Sequence, residues 1–138
     1  MSWVYWALLS ALFAGLTAVL AKVGVKGVDP DLATAVRTVV ILTFAWGIAL
    51  FRGVANLREV PGKAWLFLVL SGVATGASWL CYFRALQLGQ AARVAPVDKL
   101  SVVVAMGLAA VFLGERLSWL HWLGGLLIVT GAVLLTAA

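Results

Sequence analysis

Apolar residues gather in long runs separated by short polar interruptions. Residues 3–21 carry no charge, and Lys22 closes that run. Gly27-Val28-Asp29-Pro30 then breaks the helix, with Asp29 placed as an N-cap and Pro30 as the first helical residue of the next span. The second run, 32–51, holds one charge, Arg37. Arg52 to Lys63, with Asn56, Arg58, Glu59, Pro61 and Gly62, reads as a loop. Residues 64–83 are charge-free and end at Arg84; 85–93 connect them to a run that carries Pro96, Asp98 and Lys99. Gly114-Glu115-Arg116 reads as a tight turn before a last apolar run. A helix needs about 20 residues to cross the ~30 Å hydrocarbon core. The pattern therefore predicts five membrane-spanning helices, at about 3–22, 32–51, 64–83, 94–113 and 118–138, in one domain over 1–138.

Composition agrees. Of 138 residues 64% are apolar and 11% charged, and the mean hydropathy is +1.12. A water-soluble domain carries about 25% charged residues, so the fold class expected is an all-α integral membrane protein. The net charge of +5 points to lipid headgroups rather than nucleic acid. A single cysteine, Cys81, excludes an internal disulfide framework and a cysteine zinc site. The N-terminus lacks the positive segment and cleavage site of a signal peptide, and no solenoid repeat is visible. Trp3, Trp6, Trp65, Trp119 and Trp122 fall near predicted span ends, where amphipathic rings favour the interface.

Five spans put the ends of the chain on opposite faces. The N-terminal face receives Arg52, Arg58, Lys63 and Arg116; the other receives Lys22, Lys26, Arg84 and Arg93, plus Arg37 and Lys99 if these snorkel outward. Cationic charge on cytoplasmic loops normally sets orientation, and here it is nearly balanced. Two readings stay open: one orientation fixed by some other detail, or insertion both ways with pairing to an inverted copy.

Ser71, Thr75, Ser78 and Tyr82 lie at i, i+4, i+7 and i+11 and form one stripe on the third span. Gly72, Gly76, Trp79 and Phe83 form the next stripe. The stripe serves either close packing, with hydroxyls bonded back one turn, or the lining of a watery cavity. On the first span Ala11, Gly15 and Ala18 lead to Lys22 and suit packing. On the fifth, Gly124 and Gly131 stand seven apart on one face, a candidate contact between subunits. His121 stands near the interface, and a lone histidine makes no metal site.

A charge inside a span costs about 2.5–3.5 kcal/mol on insertion scales. Arg37, Asp98 and Lys99 each lie five or six residues into a span that starts on the same face, and so share a depth. Lys22 and Arg84 snorkel readily. A short carboxylate cannot, so Asp98 needs a partner; adjacent residues point about 100° apart on a helix, which favours Arg37 over Lys99. Pro96 removes a backbone donor and frees carbonyls to face a cavity. A proline-interrupted span with ionised groups at one depth suits a solute site, and equally a structural ion pair. Fixed positive charge would favour carboxylate or phosphate solutes, while Asp98 could bind an ammonium or exchange a proton. No phosphate-binding glycine loop, nucleophile elbow, carboxylate pair or histidine cluster is present, and no filter-like loop. Neither an enzyme, a cofactor nor an ion channel is expected.

Four stretches carry a resemblance: Asp29 through Thr38; Trp79 through Gly89; Val94-Ala95-Pro96-Val97-Asp98-Lys99-Leu100-Ser101; and Phe112-Leu113-Gly114-Glu115-Arg116-Leu117-Ser118. Through them the chain closely resembles the EamA family of the drug/metabolite transporter superfamily, in its short five-helix form, over nearly its whole length. The resemblance implies a secondary transporter of small metabolites, often an exporter, in the prokaryotic plasma membrane. Most relatives join two five-helix halves in inverted orientation, so this chain would form an antiparallel homodimer. It also implies a cavity built by the first four helices. Here that cavity would be lined by Ser71, Thr75, Ser78, Trp79 and Tyr82, with Arg37, Asp98 and Lys99 setting charge preference and Asp98 the coupling candidate. The similar small multidrug-resistance exporters have four helices and rely on a glutamate in the first; the first span here has no acidic residue. A non-transporting scaffold or a flippase for a lipid-linked substrate are the alternatives.

Overall fold

The computed structural model of the protein describes residues 2–137, and every regular element among them is helical. In order these are α1 (Trp3–Gly24), α2 (Pro30–Phe51), a single 3-10 turn (Leu57–Glu59), α3 (Gly62–Leu88), α4 (Ala91–Asp98), α5 (Ser101–Phe112) and α6 (Trp119–Ala137). Five helical stretches are long and apolar enough to cross a membrane: α1, α2, α3, the α4–α5 stretch from Ala91 to Phe112, and α6. The five spans expected from the sequence are present. The predicted end of the last one, residue 138, lies outside the described residues.

Local signals set the helix ends. The Asp29 carboxylate accepts hydrogen bonds from the amides of Asp31 (2.9 Å) and Leu32 (3.2 Å), and Pro30 is the first residue of α2. A proline costs nothing there, because the first amides of a helix have no partner within it. Gly53, at φ +67°, ends α2 by letting the chain reverse so that the Val54 amide donates to the Ala49 carbonyl at 3.0 Å. Asn56 caps the 3-10 turn, accepting from the Arg58 amide at 3.2 Å and donating to Glu59 at 2.6 Å.

Two boundaries differ from the sequence reading. α3 continues past Arg84 to Leu88, for 27 residues, because Arg84-Ala85-Leu86-Gln87-Leu88 are all good helix formers. The connection to the next helix shrinks to Gly89 and Gln90. The fourth span is two helices rather than one, parted at Lys99 and Leu100.

The chain divides into two compact units. One is Val23–Gln87, with α2 and α3. Its buried residues are Val25 in the turn before α2, Pro30 and Thr34 at the start of α2, and Phe83 and Leu86 at the end of α3. The side-chain amide of Gln87 donates to the Val28 carbonyl at 3.1 Å at the same end. The other unit joins α1 up to Lys22 with the chain from Leu88 onward. Within it α6 packs against α4 and α5. Gly125 lies in this contact: a Cβ there would stand in ordinary van der Waals contact with Met106 Cε at 3.6 Å and Val103 Cγ2 at 3.7 Å. The Lys22 ammonium donates to the Gly89 carbonyl at 2.6 Å. Leucines, valines and aromatic residues lie open along the helices, a surface suited to hydrocarbon rather than water.

Candidate functional site

In the Val23–Gln87 unit, α2 and α3 bring Arg37 onto two aromatic rings. Its guanidinium carbon lies 4.6 Å from the centroid of Trp79 and 5.4 Å from that of Phe83. Trp79 and Phe83 are four residues apart, so both rings stand on one face of α3, one above the other. Trp79 was a predicted site residue. Phe83 was seen as its neighbour on the stripe but not as part of the site; the i, i+4 spacing of two rings opposite an arginine is the signal that marks it. Phe83 is 3% exposed, so it also anchors the packing that holds the pair.

The hydroxyl stripe of Ser71, Thr75, Ser78 and Tyr82 is intact, since α3 is unbroken through it. The Thr75 hydroxyl donates to the Ser71 carbonyl at 2.8 Å. Thr34 and Thr38 make the same bond, to Pro30 and to Thr34, each at 2.8 Å. These threonines satisfy their donors within the helix while their oxygens keep acceptor capacity. Gly72 and Gly76, on the ring stripe, have open space where a Cβ would stand.

In the other unit, Asp98 and Lys99 form an ion pair at 3.3 Å, with side chains 34% and 56% exposed. The sequence favoured Arg37 as the partner of Asp98; the partner recorded is Lys99. Lys99 keeps helical backbone angles, so the two side chains leave the helix in different directions, and it is the four-carbon lysine stem that bends back on the neighbouring carboxylate. Around the pair the backbone tightens into i, i+3 turns. The Lys99 amide donates to the carbonyls of Ala95 (3.3 Å) and Pro96 (3.1 Å), and that of Leu100 to Val97 (3.0 Å). Pro96, inside α4, offers no amide to the Ala92 carbonyl. The Asp98–Lys99 ion pair thus sits where the fourth span is interrupted.

Gly124 and Gly131 on α6 have open space at their Cβ positions. The glycine that packs inward is the adjacent Gly125, followed at seven residues by buried Ala132. His121 caps its own helix: its Nδ1 accepts from the Ser118 amide at 3.1 Å and lies 2.7 Å from the Ser118 hydroxyl. No group of three or more potential metal ligands occurs among the described residues.

Residues 1–137 match the model of the EamA-like transporter family. A protein of Sinorhizobium sp. described as an uncharacterized transporter in the cobO 3' region is 58% identical over 135 residues, covering 97% of this chain and 96% of its own. No solved structure matches. Both matches point to transport rather than to an enzyme.

Proposed function

We propose that this chain, which belongs to the EamA-like transporter family, exports a small polar metabolite by alternating access, as a homodimer of oppositely inserted protomers. It is a multi-pass protein of the cell membrane. The observation that carries the proposal is the interrupted fourth span, with the Asp98–Lys99 pair at the interruption. A regular helix offers a solute no free backbone group and bends little; an interrupted one offers both polar groups and a pivot. In the proposed cycle the solute is held by the hydroxyl stripe of Ser71, Thr75, Ser78 and Tyr82 together with Trp79 and Arg37. Asp98 exchanges its lysine partner for a proton or a solute ammonium as the fourth span flexes at Lys99 and Leu100.

The inverted dimer draws support from the near balance of cationic residues on the two faces and from the open row of Gly124 and Gly131. Export is tested by mass spectrometry of the medium around cells that produce the protein or its Asp98→Asn variant at equal membrane levels. The expected outcome is a small polar metabolite enriched outside wild-type cells and at background with the variant. Identical media would sink the proposal.

A further inference from the structure

Arg37 lies seven residues into α2, about 10 Å along its axis from Pro30. A cation within a membrane span carries a cost that an anionic partner offsets. Within its own unit, Val23–Gln87, no described carboxylate comes within ion-pair distance of Arg37. Its neighbours are the rings of Trp79 and Phe83. Rings stabilise a cation through their electron-rich faces, yet they leave its charge unneutralised. A guanidinium held over a ring also keeps the planar N–H edge that matches a carboxylate two-prong to two-prong. The other intramembrane cation of the candidate set, Lys99, is paired with Asp98.

We infer that Arg37, held over Trp79 and Phe83, binds the carboxylate of a monoanionic solute with an apolar or aromatic body. The inference rests on the transport reading above and names the solute class. One cation is matched by one negative charge; a phosphate monoester, at about −1.5 to −2 near neutral pH, would leave excess charge in hydrocarbon. Gly72 and Gly76, on the same stripe, add no side chain beside the rings.

The test uses purified protein in neutral detergent, titrated with benzoate and followed by tryptophan fluorescence and thermal melting. Benzamide serves as the uncharged match and inorganic phosphate as the competing oxyanion. Benzoate is expected to quench saturably and raise the melting temperature, with benzamide and phosphate far weaker. Loss of a charge-assisted bidentate contact in Arg37→Gln weakens benzoate about 10-fold to 100-fold. Arg37→Lys keeps the charge but not the planar edge, and weakens it about 10-fold; this variant carries the test if Arg37→Gln does not insert. Benzamide or phosphate binding as well as benzoate, no benzoate binding, or unchanged affinity in both variants would each overturn the inference. Benzoate binding through Arg37 without export would remove the transport reading alone. An exported solute that is neutral or cationic, and indifferent to Arg37→Gln, would remove this inference alone.

Discussion

Asp29 holds the first turn of α2 with one carboxylate oxygen shared between two amides. Removing such a cap costs about 1 kcal/mol, so Asp29→Ala is expected to lower the melting temperature in detergent, while Asp29→Ser retains most of the stability. An unchanged melt in Asp29→Ala would show that Pro30 alone fixes the helix start. This cap was legible in the sequence, because Asp followed by Pro at a break between apolar runs has a local meaning. The partner of Asp98 was not. Spacing on a helix sets adjacent side chains about 100° apart, and what spacing does not carry is that a flexible lysine stem can still close that gap to 3.3 Å. The role of Phe83 was hidden for a different reason: a buried ring reads as core until its relation to Arg37 across two helices is known.

Pro96 is the lever on the fourth span. Pro96→Ala restores an amide that can donate to the Ala92 carbonyl, and relieves part of the ~3 kcal/mol that an interior proline costs a helix. Amide exchange through 97–101 should slow and export should fall, since the variant favours one continuous helix from Ala91 to Phe112. Hydrogen–deuterium exchange with mass spectrometry reads the first effect; faster exchange in the variant would show that the interruption does not depend on the proline. The sequence marked this span as proline-interrupted but not where it parts. The tightened turns begin at Lys99, three residues beyond Pro96, a displacement that the position of the proline alone does not specify. The overlong α3 was missed because a charge at Arg84 marks where apolar surface ends, not where helical hydrogen bonding ends.

At the scale of the whole molecule, composition and apolar run length were enough to foresee five spans, because the cost of an unpaired backbone group in hydrocarbon leaves helices as the only form for such runs. Orientation depends on a small difference between two nearly equal charge sums, so it must be measured. Single cysteines at Gly62 and Val28, on a Cys81→Ala background, report opposite faces. Val28 is chosen because Gly27, at φ +76°, would be strained by any side chain. Partial labelling of both sites from outside intact cells is the expected outcome. Labelling of one site alone would mean a single orientation and no inverted homodimer. The reach of α3 adds a consequence for the lipid itself. Its charge-free stretch, residues 64–83, is long enough for a bilayer of ordinary thickness, and Arg84–Leu88 carry the helix about 7 Å further, to where Leu86 is buried and Gln87 bonds Val28. In a pair inserted both ways, each leaflet meets the same packed end of α3 once, so the two sides of the assembly are alike to the lipid. A pair inserted one way would set both of those ends in one leaflet and none in the other.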